Sequence, residues 1–221
     1  MLINEVSSPN QVELGPLARE IRGTQSLSTI AGLVKKHFPM TKIKIHKKPD
    51  LESGTMNIGA HYDPEADEEG GIPIHIDLFF SDKDNDELEW TKQGRKFFLY
   101  KLKDVMKHEL LHMTQHRSRD FHPGRDGYVD DKGMEYEYMS RPDEIEAYAM
   151  NIADELTRRV GKDGAFQLLR MAKKTAQFKD EIGHYLSPDL LAYFALFNWD
   201  ASHPVLKRLL KKVYIYLNKS K

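Results

Sequence analysis

The stretch His108-Glu109-Leu110-Leu111-His112 follows the pattern H-E-x-x-H and decides how the rest of the chain is interpreted. Residues four apart lie on one face of a helix, so two imidazoles at this spacing can bind one zinc ion. The glutamate between them is offset around the helix, where it can act on a water molecule at the metal but is poorly placed to be a ligand. The segment from about 93 to 116 repeats apolar residues at helical spacing, namely Leu102, Val105, Met106, Leu110 and Met113.

A third ligand has to come from elsewhere, and geometry limits the nearby histidines. Eight helical residues rise about 12 Å, so His108 and His116 cannot both bind one ion while the helix continues. His122 could bind only if the helix ended and the chain folded back. The longer pattern H-E-x-x-H-x-x-G-x-x-H is absent, because Gln115 stands where its glycine would be.

The run from 141 to 149, RPDEIEAYA, offers a better third ligand at the start of a predicted helix. Glu144 has the small Ala147 three residues later, which permits close approach of a second helix. Glu146 points about 200° away from Glu144, since residues two apart differ by that angle. Both carboxylates also suit a solvent-exposed helix start, but we prefer Glu144 as the ligand and keep Glu146 as the alternative.

The pairing of HELLH with a downstream E-x-x-A, here Glu144-Ile-Glu146-Ala147, resembles the gluzincin branch of the zincin metallopeptidases. The run SRPDEIEAYA is also similar to segments of bacteriophage-encoded H-E-x-x-H proteins. The resemblance implies peptide-bond hydrolysis with Zn²⁺ as cofactor and Glu109 as general base. The chain departs from the thermolysin-like pattern N-E-x-x-S-D, because Asp143 precedes Glu144 and Tyr148 replaces the final aspartate.

Fold expectations follow from periodicity. We predict an α+β, zincin-like fold in one domain, residues 1–221, with a sheet-containing N-lobe at about 1–116 and a helical C-lobe at about 117–221. Alternating patterns predict strands at 42–47, 56–62 and 72–80. Residues 63–71 and 117–140 are expected to be irregular, the first as a solvated acidic loop. Helices are predicted at 16–38 with a break at Gly23, and at 93–116, 141–160, 163–179, 187–198 and 202–218.

Peptide hydrolysis also needs a donor for the oxyanion and a place for the substrate. Tyr138 and Arg141 rank first as donors because they directly precede the Glu144 helix, and we name Tyr138 as the catalytic candidate. The predicted strand 72–80 either lies at a sheet edge, where an extended peptide can add to it, or in the sheet interior. The other candidate donors are Tyr128, Tyr136, His122, His184 and His203.

Composition narrows partners and location. The 33 basic and 34 acidic residues give a net charge of −1, so we expect neither nucleic acid nor a membrane as partner, and a peptide or protein as substrate. The chain has no cysteine, which excludes thiolate ligands and disulfides. No signal peptide and no long apolar run is visible, so we expect a cytoplasmic protein, with the host cytoplasm or a virion as locations if a bacteriophage encodes it.

Two other functions fit the same residues. One is a zinc hydrolase that acts on a bond other than a peptide bond. The other is a catalytically silent zincin scaffold that serves as a virion or regulatory protein. Glu109 favours catalysis over the scaffold, because a purely structural metal site has no need of a general base between its ligands.

Overall fold

The computed structural model describes residues 12–125, 134–174 and 186–219. Within these ranges the protein is a mixture of helices and small sheets, so the predicted α+β class is confirmed. None of the described helices combines the length and the apolar composition that a membrane span requires. The chain divides into two compact units, Met1–His122 and Pro123–Lys221, called unit 1 and unit 2, and each has its own apolar core.

Unit 1 contains the strands. Its described elements are α1 (Gly15–Glu20), β1 (Gly23–Ser26), α2 (Leu27–His37), β2 (Thr41–Lys48), β3 (Met56–Tyr62), α3 (Pro64–Glu68), β4 (Ile74–Ser81), β5 (Glu87–Trp90) and α4 (Lys92–Arg117). The three strands predicted from alternation correspond to β2, β3 and β4. The predicted helix at 16–38 is broken at Gly23, whose φ of +63° is easily adopted only by glycine. A short strand that the sequence did not predict, β1, follows this break.

Strand β4 lies in the interior of the main sheet, whose order is β2-β4-β3. It pairs parallel with β2 and antiparallel with β3, and both of its neighbours are therefore occupied. This excludes the edge-strand alternative for residues 72–80, because an extended peptide can add only to a free edge. Among the described strands, β2 and β3 form the two edges of this sheet. Strands β1 and β5 form a separate antiparallel pair.

The helix predicted at 93–116 is confirmed as α4, which runs for 26 residues. Thr91 begins it, since the Thr91 side chain accepts a hydrogen bond from the Gly94 N–H at 3.0 Å. Helix α4 packs against β3. Its apolar stripe is buried in the core of unit 1 and comprises Phe98, Leu102, Met106, Leu110 and Met113.

The acidic segment after β3 is not the solvated loop that its composition predicts. Residues Pro64–Glu68 form α3, and the Asp67 side chain is only 4% exposed. Arg117, near the end of α4, donates to both Asp67 carboxylate oxygens at 2.8 and 2.7 Å. Tyr62 adds a third hydrogen bond at 2.9 Å. The buried charge is therefore fully paired, and it joins α3 to the end of α4.

Unit 2 is helical in its described part, with α5 (Met134–Ser140), α6 (Pro142–Lys174), α7 (Pro188–Leu196) and α8 (Pro204–Lys219). Helix α5 corrects the expectation of an irregular chain up to residue 140. Helix α6 is kinked at Gly161, where φ is 72° and where the sequence predicts the end of one helix and the start of the next. Ser187 and Pro188 begin α7 as predicted, with the Ser187 side chain accepting from the Leu190 N–H at 3.1 Å.

The core of unit 2 is formed by buried side chains of all four of its described helices, α5 to α8. Helix α8 is basic on its outer face, and its apolar face is fully buried, as expected of an amphipathic helix that packs on a core. Its buried residues are Val205, Leu206, Leu209, Leu210, Val213 and Leu217.

We predict that Asp67→Asn lowers the free energy of unfolding by about 1–3 kcal/mol, because it removes the charge that faces the Arg117 guanidinium. The lower part of this range is expected, since Arg117 is 44% exposed and solvent screens the pair. Glu68→Gln makes the same chemical change at the neighbouring exposed position and is the matched control. Urea unfolding of both variants measures the difference, and equal stabilities would refute a structural role for this pair.

Candidate metal centre

His108 and His112 lie on the same buried face of α4. Their side chains are close neighbours, with ring centroids 4.7 Å apart and ring planes inclined by 68°. Residue exposures of 7% and 9% show that both imidazoles are withdrawn from bulk solvent. The four-residue spacing on a continuous helix produces this arrangement directly, as the sequence predicts.

A hydrogen bond fixes the orientation of the second imidazole. His112 Nδ1 lies 3.1 Å from Gln115 Oε1, and a carbonyl oxygen can only accept a hydrogen bond. In the tautomer that donates this hydrogen bond from Nδ1, the Nε2 atom has a lone pair that a metal ion could accept. Partners of this kind hold metal-binding histidines in the required tautomer. In the sequence, Gln115 stands where the glycine of the longer H-E-x-x-H-x-x-G-x-x-H pattern would be. Because Gln115 follows His112 by about one helical turn, this spacing is the sequence signal that predicts its contact with the His112 ring.

His108, His112 and Glu144 form a group that could hold a metal ion. One ligand atom from each of the three residues lies within 4.8 Å of the other two. The three side chains offer two imidazole nitrogens and one carboxylate oxygen, all buried. This donor set suits zinc, which in catalytic sites takes three such protein ligands and leaves one position for water or substrate.

Glu109 is also buried, with an exposure of 7%, and it lies on α4 between the two histidines in sequence. It is absent from the ligand group, as its offset around the helix predicts. Its buried side chain lies on the same helix as the two histidines, and its role as general base stays a prediction.

The two alternative histidines lie elsewhere in unit 1. The His116 ring packs edge-on against Tyr62, with centroids 5.4 Å apart. His122 is exposed, and its Nδ1 lies 3.1 Å from the Asp120 carbonyl oxygen. Neither belongs to the ligand group found among the described residues.

Glu146 is occupied by contacts within unit 2. Tyr216 donates to Glu146 Oε1 at 2.7 Å, and Lys212 pairs with Glu146 Oε2. Both partners belong to α8, so the Glu146 side chain joins α6 to α8. Its neighbour two residues earlier, Glu144, is the carboxylate that lies with the histidines. The helical phase that separates the two acids in the sequence is thus also seen in the structure.

The structure separates the candidate oxyanion donors. Tyr138 is 39% exposed, and the Arg141 guanidinium lies over its ring at 5.8 Å from the centroid. Arg141 also pairs with Glu137 at 2.9 Å. Tyr136, by contrast, is buried, and its hydroxyl lies 2.8 Å from His203 Nε2. The catalytic role of Tyr138 stays a prediction. Two other candidates, Tyr128 and His184, lie outside the described residues.

Tyr193 on α7 is a polar group that the sequence analysis missed. Its side chain is fully buried, and its hydroxyl makes no hydrogen bond within the described residues. Burial raises the pKa of Tyr193 well above its usual range, and nearby Tyr148 and Glu144 raise it further. The phenol is therefore a protonated donor near Glu144. No sequence signal marks it, since an aromatic residue in an apolar helix is usually a core residue.

The family models, the curated proteins and the solved structures that were searched contain no match to this chain.

Proposed function

We propose that this protein is a zinc-dependent metallopeptidase of the zincin type. The observation that carries the proposal is the group formed by His108, His112 and Glu144, whose ligand atoms lie within 4.8 Å of one another. Glu109, buried on the same helix as the two histidines, supplies the base that hydrolysis needs. A two-His-one-Glu donor set with such a base is typical of zinc hydrolases.

His108, His112 and Glu144 would hold a zinc ion, which when bound would lower the pKa of a water molecule and polarise the carbonyl of the scissile bond. The Glu109 carboxylate takes a proton from that water as its oxygen bonds to the carbonyl carbon. Glu109 then delivers the proton to the amide nitrogen as the C–N bond breaks, so the base ends the cycle unprotonated. Gln115 keeps His112 in the tautomer that leaves Nε2 as the ligand atom.

The sheet supports a peptide as the substrate. Strand β3 packs against α4, which carries the two histidines and Glu109. It is also an edge of the main sheet among the described strands. An extended peptide can add to such an edge through main-chain hydrogen bonds, which recognise the backbone rather than particular side chains. In our proposal β3 takes the substrate-binding role that the sequence analysis considered for residues 72–80.

We predict that the purified protein binds one equivalent of zinc and that His112→Ala loses most of it, because two ligands hold the ion poorly. His122→Ala removes an exposed histidine outside the ligand group and is the matched control. Metal analysis after dialysis against zinc measures both. A wild-type protein that neither contains zinc nor takes it up would refute the metal centre.

The third ligand can be tested by comparing two neighbouring carboxylates. We predict that Glu144→Gln weakens zinc binding strongly, since it replaces a charged ligand by a neutral amide. Glu146→Gln should leave zinc affinity within a few-fold of the wild type, because that side chain binds Tyr216 and Lys212 instead. Competition with a fluorescent chelator gives the two affinities. Equal losses in both variants, or a loss only in Glu146→Gln, would contradict the assignment of Glu144.

Catalysis separates an enzyme from a silent scaffold. We predict that Glu109→Gln keeps its zinc but loses peptide cleavage by at least about a hundredfold, because the amide cannot accept the proton. Glu135→Gln, at an exposed position, is the control and should cleave normally. Mass spectrometry of new peptide termini after incubation with a proteome-derived peptide mixture measures cleavage. Cleavage that survives in Glu109→Gln would refute the mechanism.

A wild-type protein that binds zinc at this site and yet cleaves nothing in the mixture would refute the peptidase. That result would leave the metal centre intact, and the protein would then be a scaffold or a hydrolase that acts on another kind of bond.

A further inference from the structure

The main sheet of unit 1 has one face that points away from the apolar core. On β4 the apolar residues Ile74, Ile76, Leu78 and Phe80 are buried, so the alternate residues lie on the opposite side. Strand register identifies their neighbours on the same side. We call this surface the open sheet face. It consists of Lys42, Lys44, His46 and Lys48 from β2, Asn57, Gly59 and His61 from β3, and His75, Asp77 and Phe79 from β4.

The open sheet face is basic. Its three lysines are exposed to solvent. Asp77 is its only acidic residue, and Asp77 Oδ1 lies 2.5 Å from His46 Nε2, so a histidine already pairs with it. At the end of β3, Asp63 lies 4.0 Å from His75 Nε2. The net charge of −1 for the whole chain hides this local excess of positive charge.

Two pairs of rings lie among these lysines. The His46 ring stacks on Phe79, with centroids 5.0 Å apart and planes inclined by 22°. Phe79 packs against Gly59, where a Cβ would stand 3.5 Å from the ring. The His61 and His75 rings form the second pair, with centroids 4.7 Å apart. His61 is exposed and His46 is partly exposed, and both lie on edge strands, so a further flat group can stack on either ring.

We propose that the open sheet face binds single-stranded nucleic acid. A row of lysines along β2 suits a phosphate backbone, and partly exposed rings on a sheet suit unstacked bases, which is how sheet surfaces bind single strands. An acidic peptide would use the lysines but would gain little from the ring pairs, so the rings favour nucleic acid. The proposal does not depend on the metal centre.

The test measures binding of the full-length protein to a fluorescein-labelled oligothymidylate of about 15 nucleotides, by anisotropy over a range of salt concentrations. A variant with Lys42→Gln, Lys44→Gln and Lys48→Gln should bind at least tenfold more weakly. The slope of log K against log salt concentration should be less negative by about 2, which corresponds to three lost phosphate contacts. The control carries the same three charge losses on exposed helical lysines of unit 1, as Lys35→Gln, Lys92→Gln and Lys96→Gln. It should bind as the wild type does.

The rings are tested by Phe79→Leu combined with His61→Leu, measured above pH 8 where an ordinary histidine is neutral. This variant should bind the oligonucleotide several-fold more weakly, with an unchanged salt slope, because stacking is lost and lysines remain. No binding by the wild type at low salt, or equal losses in the two lysine variants, would overturn the proposal. Polyglutamate that binds as tightly, through the lysines and without the rings, would also overturn it, in favour of an acidic polypeptide.

Discussion

The structure of unit 1 depends on one constraint, which is that α4 buries polar and apolar side chains side by side. Its apolar stripe fills the core, while His108, Glu109 and His112 are withdrawn from solvent on the same helix. Burial of imidazoles and carboxylates is unfavourable unless each has a partner. The Gln115 contact supplies one such partner. A metal ion bound by the two histidines and Glu144 would supply a further one, so metal binding and stability are linked in our proposal.

Much of the strand and helix layout follows from periodicity alone. Apolar residues alternate with polar ones in much of β2, β3 and β4, and α4 repeats its apolar residues over many turns, so both patterns predict the type of element. Burial follows the alternation closely in β4, whereas Ile45 of β2 is 36% exposed. The missed elements are short. Strands β1 and β5 have four residues each, and α3 has five, which is too few for a period to be recognised. The order of the strands in the sheet could not be predicted from the sequence either. Alternation shows which face of a strand is buried, but it does not show which strand lies beside it.

The candidate site was predictable as far as helical geometry reaches. Spacing of four put two histidines on one face, and the angle between residues two apart separated Glu144 from Glu146. Contacts between distant residues were not predictable. Arg117 contacts Asp67, which is fifty positions away in the sequence, and Tyr136 contacts His203, which is sixty-seven positions away. The same holds for the open sheet face, because its residues come from three strands and only the strand register brings them together.

The strand order β2-β4-β3 also has a consequence for how the protein folds. Strands β2 and β3 follow each other in the chain, yet β4 separates them in the sheet, and β2 and β4 are parallel. A nascent chain that has reached residue 62 therefore holds two strands that share no native hydrogen bonds. The sheet cannot grow hairpin by hairpin. It closes only when β4 enters between its neighbours, a non-local step that is slow in proteins of high contact order. Until then β2 and β3 each expose two unpaired edges, and protection of those edges during synthesis becomes part of what this fold requires.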